Sequence, residues 1–409
     1  MTGTLVVVGA SLAGLRAVEA VRADGWDGPI SLVGAEEHLP YDRPPLTKDY
    51  LCADECPDTT YRGSARLADE FGVTLHLGEP ATALDVDEGT VVVGDRPMRY
   101  DALVLATGSY ARSFPGTGNL DGVFTIRTLD DARALRGALR VGSPKLTVIG
   151  AGFIGSEVAS VGRELGLDVT VVERAPTPLA GAIGERMGQA LTEIHRRNGT
   201  KVITGVGVDG IVGDTRVRAV RLADGRDVQT DVLVAGVGAA PCTEWLDGAG
   251  LTVEDGVVAD ATLAAAPGVY VAGDIARWPN ALFDDVLDGP MRLQHWTSAA
   301  EQGARAARNA VAPSRAQPYQ TIPYFWSDWY SSRIQFVGVP DSDRHDVETS
   351  VVAGDHTGGG PFTALYCAND RIIGALAVDM RAEAMKYRRL IAQNTGRTAA
   401  LEFAESRRR

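Results

Sequence analysis

At 409 residues, 45% hydrophobic and 23% charged, the chain is long enough for two or three domains of ordinary size. Its net charge of -13 argues against generic binding to a phosphate backbone, and no apolar run reaches the length of about eighteen residues needed to cross a bilayer. Four scattered cysteines (Cys52, Cys56, Cys242, Cys367) form no disulfide framework, and the six histidines form neither HExxH nor a Cys/His cluster; a soluble cytoplasmic protein without a metal centre is expected.

The chain opens on TLVVVGASLAG, residues 4–14: an apolar strand, Leu5 to Val8, then a Gly-rich turn and a helix with Leu12, Leu15, Val18 and Val21 at helical spacing. A dinucleotide-binding βαβ unit begins this way. Gly9 permits the tight turn, Gly14 lets the helix pack on the strand, and the helix start at Ser11, Leu12 and Ala13 turns its N–H groups toward a pyrophosphate. Ser11 replaces the middle glycine of GxGxxG, so a strand–turn–helix without ligand stays open here. A second strand, Ile30 to Val33, leads to Gly34-Ala35-Glu36, and Glu36 is the candidate for the ribose hydroxyls, with a solvated loop carboxylate as the alternative.

Residues 38–51, HLPYDRPPLTKDYL, carry three prolines in six residues, which predicts a stiff extended segment. Lys48, one of only four lysines, stands at the start of the helix expected next; spacing alone reads it as a surface residue. Short strands follow in VTLHLG, ATALDVD and TVVVGD, then a buried strand, Ala102 to Leu105, that stops on Ala106-Thr107-Gly108. Such small residues let backbone approach a flat ligand.

At Lys145 the theme returns intact. Strand Leu146 to Ile149 enters Gly150, Gly152 and Gly155, followed by a helix with Ile154, Val158, Val161 and Leu165 on one face. Strand Val169 to Val172 ends in Glu173, 23 positions after the first glycine. Glu173 should accept adenosine hydroxyls and repel a 2′-phosphate, so NADH is preferred over NADPH, with Arg174 beside it moderating the preference. Residues 228–240 then repeat the pattern of a buried strand stopping on small residues, and APGVYVAGDIAR places Asp274 after Gly273, where a carboxylate can accept a hydrogen bond from a polyol; a loop aspartate is the alternative. Ser298-x-x-Glu301 predicts a capping box and a helix from Ala299 to about Ala310. Beyond Thr321 come IPYFWSDWYSSRIQFVG, strand-like segments Ser350 to Gly354, Phe362 to Cys367 and Arg371 to Ala377, a basic helix Ala382 to Gln393, and a disordered tail at Arg407 to Arg409.

This order resembles the two-dinucleotide flavoprotein reductases of the glutathione reductase structural class. LPYDRPPLTK (39–48), RTLDDA (127–132), VYVAGDIAR (269–277), FWSDWY (325–330) and VG at 337–338 are similar to the oxygenase-coupled ferredoxin reductases, the family of the putidaredoxin, rubredoxin and biphenyl dioxygenase ferredoxin reductases. The resemblance implies an α/β fold with two Rossmann-like domains: an FAD domain from 1–109 and 238–320, an inserted NAD domain from 110–237, and a C-terminal α+β interface domain from 321–409. FAD contacts are implied at Gly9, Ser11, Leu12, Ala13, Gly14, Glu36, Arg43, Lys48, Ala81, Ala106, Thr107, Gly108, Arg127, Gly273, Asp274 and Trp296. NAD contacts are implied at Gly150, Gly152, Phe153, Ile154, Gly155, Glu157, Glu173, Gly236, Val237 and Gly238.

Within that set the resemblance gives Lys48 and Glu157 a catalytic role as a pair near flavin N5. It sends Arg127 and Asp274 to the FAD phosphate and ribityl chain and Trp296 to the pyrimidine end of the ring. Trp326 falls between the flavin and an iron–sulfur partner. The implied activity moves a hydride from NADH to the flavin and passes electrons singly to a [2Fe-2S] ferredoxin that serves a cytochrome P450 or a Rieske-type oxygenase, with the reductase a monomer or homodimer. Two departures stand out: Ala35 replaces a common Asp, leaving the ribose to Glu36, and Trp329 interrupts the frequent WSDQY, which could change the docking surface. An acidic ferredoxin requires a local basic face, for which Arg305, Arg308 and Arg315, or Arg388 and Arg389, are candidates. Two rivals share the nucleotide sites: a thiol-based NADH oxidase, peroxidase or disulfide reductase, for which the CxxxxC pair is absent, and a redox-sensing interaction protein resembling apoptosis-inducing factor.

Overall fold

Four successive apolar residues without alternation require cover on both faces, and Leu5–Val8 obtains it inside a sheet, every side chain buried. The computed structural model describes residues 3–118 and 120–407. The chain divides into two units, each assembled from three segments. One comprises Met1–Asp42, Thr59–Tyr110 and Ala240–Phe325; the other comprises Arg43–Asp58, Ala111–Ala239 and Trp326–Arg409.

The first unit is built on a six-stranded sheet in the order Ala264–Ala266, Val269–Val271, Ala102–Leu105, Leu5–Val8, Ile30–Gly34, Val73–Leu77. Leu5–Val8 pairs in parallel with both neighbours, Leu5 opposite Ile30 on one side and Ala102 on the other. The chain order reverses at this strand, which opens a crevice beyond its carboxyl end. Helix Leu12–Ala23 packs against helix Trp296–Val311. Gly303 makes that possible, because a Cβ there would lie 2.1 Å from the carbonyl oxygen of Ala13. A three-stranded antiparallel sheet (Ala81–Asp85, Thr90–Val93, Arg96–Arg99) sends Leu84, Val91 and Val93 into the core on Val6, Val8, Leu103 and Leu105.

The second unit repeats the architecture in a five-stranded parallel sheet ordered Lys201–Thr204, Val169–Glu173, Leu146–Ile149, Val232–Ala235, Val123–Phe124. It also carries an antiparallel sheet ordered Tyr324–Trp329, Ser332–Gly338, Arg371–Val378, Phe362–Ala368, Glu348–Gly354, on which helix Arg381–Ala392 packs. Residues 43–58 join this unit through two arginines of the stretch after Thr128. Arg136 donates to the carbonyls of Tyr50 and Leu51 at 2.9 and 3.1 Å and to Asp54 O at 2.9 Å, and Arg140 reaches those of Cys52 and Ala53, each at 2.6 Å. These carbonyls end the short helix Asp49–Cys52 or follow directly on it, where a helix supplies no N–H of its own.

Several local expectations are corrected. Pro44–Thr47 is one turn of 3₁₀ helix, not an extended segment, since proline is tolerated where a first turn has no N–H to satisfy. The helix expected from Ala299 begins at Trp296, and the capping box is not formed. Glu301 instead accepts from the Tyr319 and Thr321 hydroxyls at 2.8 and 3.0 Å, and Ser298 lies buried against Tyr319. A true capping box sits in RTLDDA, where Thr128 Oγ1 accepts from Asp131 N at 3.1 Å and Asp131 from Thr128 N at 2.9 Å. Ile154, assigned to the packed face of its helix, is 41% exposed. A further helix, Arg397–Ser406, follows the basic one, and Arg407 donates to Glu383 at 3.3 Å instead of starting a tail; Arg408 and Arg409 lie outside the described residues.

Replacing Gly303 by alanine drives a side chain into backbone and should destabilise the protein by about 1–3 kcal/mol. At Gly181 an added carbon meets nothing within 4 Å. Thermal denaturation of both alanine variants checks this, with Gly303→Ala melting clearly below Gly181→Ala.

Candidate functional site: two crevices and a buried ion pair

In the first unit the strand Leu5–Val8 runs into Gly9, at φ +126, where a Cβ would stand 2.0 Å from Ala106 O. A Cβ on Gly14 would stand 2.0 Å from Gly9 O. Turn, helix and neighbouring strand thus touch backbone to backbone. Ser11 precedes helix Leu12–Ala23 without capping it, so the first N–H groups of the helix, around the buried Leu12 and Ala13, keep their donor capacity for an anion.

The other residues expected in this crevice are arranged around it. Glu36, just past the end of strand Ile30–Gly34, accepts a 2.5 Å hydrogen bond from the buried Tyr41 hydroxyl. Tyr41 thereby orients the carboxylate, a role that spacing could not reveal. Ala81 opens its antiparallel strand, half-buried. Ala106 N donates to Val8 O at 2.7 Å, Thr107 Oγ1 to Cys242 O at 2.9 Å, and Cys242 N to Gly108 O at 3.0 Å, which rigidifies the small-residue stop. Asp274 is buried with Ser109 Oγ at 2.7 Å, and Gly273 N donates to Gln302 of the returning helix at 2.8 Å.

At the start of that helix Trp296 Nε1 donates to Asp42 Oδ1 at 2.8 Å and lies 3.1 Å from the Tyr61 hydroxyl, which itself donates to Asp42 at 2.7 Å. Burial and the Asp42 carboxylate hold the Tyr61 phenol well above its ordinary range, so it stays a donor. His295, the residue before Trp296, has its pKa pushed down to about 4 by burial, and its Nδ1 is buried without a hydrogen-bond partner. An unsatisfied buried nitrogen is costly in a protein interior, and it fits a crevice that a polar group of a ligand completes.

The second unit uses the same device. Gly150, at φ +97, would place a Cβ 2.3 Å from Gly236 O, and Gly155 would place one 2.0 Å from Gly150 O. A Cβ on Gly152 would meet nothing within 4 Å, and Gly152 gives the helix Phe153–Glu164 no side-chain cap. Space therefore coincides there with a helix start that no N-cap side chain covers, which suits a pyrophosphate. Phe153 is half-buried and Ile154 exposed at the same helix start. Glu173 closes its strand with Oε2 taking Ala151 N at 2.6 Å and Oε1 taking Ala175 N at 2.7 Å, so the carboxylate is aimed and each oxygen keeps a lone pair. Gly236 N donates to Ile149 O at 2.7 Å, Val237 is half-buried, and Gly238 O accepts from Arg112 N at 2.9 Å. Arg43 and Arg127, assigned to FAD by resemblance, meet in this unit, with Arg43 Nη1 donating to Arg127 O at 2.7 Å.

Lys48 and Glu157 come together across 109 residues of sequence, Nζ to Oε2 at 2.7 Å. Lys48 also reaches Pro44 O at 3.2 Å, and Thr47 donates to the same Glu157 oxygen. The other oxygen of Glu157 accepts from Ser327 Oγ at 2.6 Å and Asp328 N at 3.3 Å. Glu157 is 4% exposed, so these donors supply what water would have given. The surface reading of Lys48 is thus replaced by a half-buried ion pair.

Trp326 is half-exposed, and the Arg333 guanidinium lies 5.6 Å from its ring centre, held by Asp328 at 3.0 and 3.2 Å. Trp329 is fully buried, so it forms no part of a docking surface. Of the candidate basic residues, Arg308 is paired with Asp24 at 2.8 Å, while Arg315 and Arg389 are exposed. Burial and nearby carboxylates raise the Cys52 thiol, and burial raises Cys367 to about 11, opposite to what a nucleophilic thiolate needs. Among the described residues no helix is long and apolar enough to cross a membrane, and no cluster of His, Cys, Asp and Glu could hold a metal ion.

Comparison with known proteins gives the family. The family described as pyridine nucleotide-disulphide oxidoreductase matches residues 3–303, and the one described as reductase C-terminal matches 324–406. The ferredoxin–NAD(+) reductase component of the anthranilate 1,2-dioxygenase system of Burkholderia cepacia is 36% identical over 95% of this chain and 93% of its own length. The corresponding biphenyl dioxygenase component of Paraburkholderia xenovorans is 34% identical over 96% and 93%. The crystal structure of the covalent putidaredoxin reductase–putidaredoxin complex superposes with a TM-score of 0.89 at 29% identity, covering 99% of this chain and 98% of that one. Two glycine-built crevices, a paired lysine and glutamate, and similarity along almost the whole length place the chain in the pyridine nucleotide-disulphide oxidoreductase family, among its ferredoxin reductases.

Proposed function

We propose that this protein is a cytoplasmic, NADH-dependent FAD reductase that supplies single electrons to a [2Fe-2S] ferredoxin of a P450 or Rieske-type oxygenase system. The observation that carries the reading is the Lys48–Glu157 pair, which joins the PPLTK turn to the helix of the intact fingerprint. The relatives' names support the partner, since they are ferredoxin reductase components of oxygenase systems. In this reading the FAD domain is drawn from 1–109 and 238–320, the NAD domain from 110–237 and the interface domain from 321–409.

FAD, when bound, takes a hydride as a two-electron unit and releases electrons one at a time. The chain's part is to bind, orient and exclude. Gly9, Ser11 and Gly14 would admit the FAD pyrophosphate to the first helix start, with Glu36 on its ribose and Asp274 on its ribityl hydroxyls. Gly150, Gly152 and Gly155 would do the same for NADH. Glu173, already anchored to two backbone amides, would direct its remaining lone pairs at the adenosine hydroxyls and repel a 2′-phosphate. Glu157 would hold the Lys48 ammonium in one place during hydride transfer, and Trp326 would face the ferredoxin.

Three measurements test this. Glu173→Ala should raise KM for NADH by roughly 10-fold or more, the worth of hydrogen bonds to a charged acceptor, while NADPH turnover holds or improves; an unchanged NADH/NADPH ratio of kcat/KM removes Glu173 from specificity. Lys48→Met should slow flavin reduction in anaerobic stopped-flow by roughly 10- to 100-fold, and an unaltered rate removes the pair from the hydride step. Cytochrome c reduction should rise when a [2Fe-2S] ferredoxin of an oxygenase system is added, and failure with every such ferredoxin rejects the electron-transfer role.

A further inference from the structure

The two oxygens of Glu157 are held from different sides of the sequence. Thr47 and Lys48 occupy Oε2, whereas Oε1 depends on Ser327 Oγ at 2.6 Å, with Asp328 N as a longer second donor at 3.3 Å. Ser327 is wholly buried and has one proton to give. The direction of that proton is set by Trp329, whose Nε1–H donates to Ser327 Oγ at 2.9 Å. An indole N–H only donates, so the serine oxygen accepts from the tryptophan and its hydrogen goes to the glutamate.

Trp329 is itself fixed. Its ring is fully buried and stacks on His195 with centroids 4.7 Å apart and planes at 28°. His195 stands between Ser156 Oγ at 3.2 Å and the Tyr330 hydroxyl at 2.7 Å, which Thr200 also meets at 2.7 Å. Tyr330 N donates to Ser160 Oγ at 2.5 Å. The end of strand Tyr324–Trp329 and the Tyr330 that follows it therefore grip the fingerprint helix directly at Glu157 and Ser160, while His195, stacked on Trp329, reaches Ser156 beside them.

We propose that Ser327, oriented by Trp329, is a positioning residue for hydride transfer: it fixes the rotamer of Glu157 and through it the place of the Lys48 ammonium. This rests on the reading that the Lys48–Glu157 pair serves that step. Without the serine hydroxyl, a buried carboxylate loses the shorter of two donors to one oxygen and turns to share its remaining partners, loosening Lys48. Trp329, at the position expected to alter docking, acts inward through its N–H instead.

The test uses the FAD-loaded holoenzyme. Ser327→Ala should slow anaerobic flavin reduction by about 10-fold with the Kd for NADH changed by less than about twofold. Acetylation of Lys48 in the oxidised enzyme, read by peptide mass spectrometry, should become several-fold faster, a change that lost packing alone does not predict. Ser327→Thr keeps the hydroxyl and should restore both readouts toward wild type. Trp329→Phe, which keeps the stacked ring and removes the N–H, should move both in the direction of Ser327→Ala by a smaller factor; it carries the test if Ser327→Thr does not fold.

In the double variant with Glu157→Gln, Ser327→Ala should add little further slowing, because the serine acts through the glutamate. Full additivity, or unchanged Lys48 acetylation in both Ser327→Ala and Trp329→Phe, overturns the proposal. If Glu157→Gln and Lys48→Met are slow while Ser327→Ala is not, only the positioning role fails. If Glu157→Gln and Lys48→Met reduce at the wild-type rate, the reading of the pair fails and takes this proposal with it.

Discussion

A carboxylate taken out of water must recover its hydration from the protein or give up its charge. Glu157 recovers it from four donors belonging to two distant stretches, the PPLTK turn and the FWSD strand. That requirement dictates much of the second unit. The turn must close at Pro44–Thr47 to present both a hydroxyl and an ammonium, the strand must turn its serine inward, and the helix must begin at Phe153 for residue 157 to face both. Each element would be ordinary alone; together they leave the ion pair one arrangement.

The crevices rest on a different constraint, contact between backbones. Gly9 against Ala106 and Gly150 against Gly236 are the same contact made twice, each where the central strand of a parallel sheet gives way to its glycine turn. Each brings a helix start beside the stop of the adjacent parallel strand. The units diverge in what they add: Asp274, Tyr41 and the Trp296 cluster in one, Glu173 with its two amide anchors in the other. A shared scaffold thus carries two different sets of polar side chains.

Much of this was legible in the residues. Strands Leu5–Val8 and Leu146–Ile149 have the bounds that their apolar runs predict, because a strand buried on both faces advertises itself without help from elsewhere. The placement of Lys48 beside Glu157 followed from resemblance and not from spacing. Where reading failed, a tertiary partner had replaced a local one. Ser298 and Glu301 have the spacing of a capping box, yet Tyr319 and Thr321 claim the glutamate. Trp329 reads as a surface departure until His195, 134 positions earlier, is found stacked on it. Tyr41 and Ser327 gave no signal of their own, since a hydroxyl's partner is written in the fold and not in its neighbours.

The grip of Arg136 and Arg140 on the carbonyls that follow Lys48 bears on how the protein could be taken apart. The lysine lies between two segments of the first unit in sequence but is anchored to the body that carries the intact fingerprint. A nucleotide-binding fragment cut from the contiguous stretch after residue 110 would leave that lysine behind, with arginines facing empty space and Glu157 short of its cation. A working fragment has to bring residues 43–58 with it as a graft, so the gene's linear order and the molecule's mechanical divisions are two different maps.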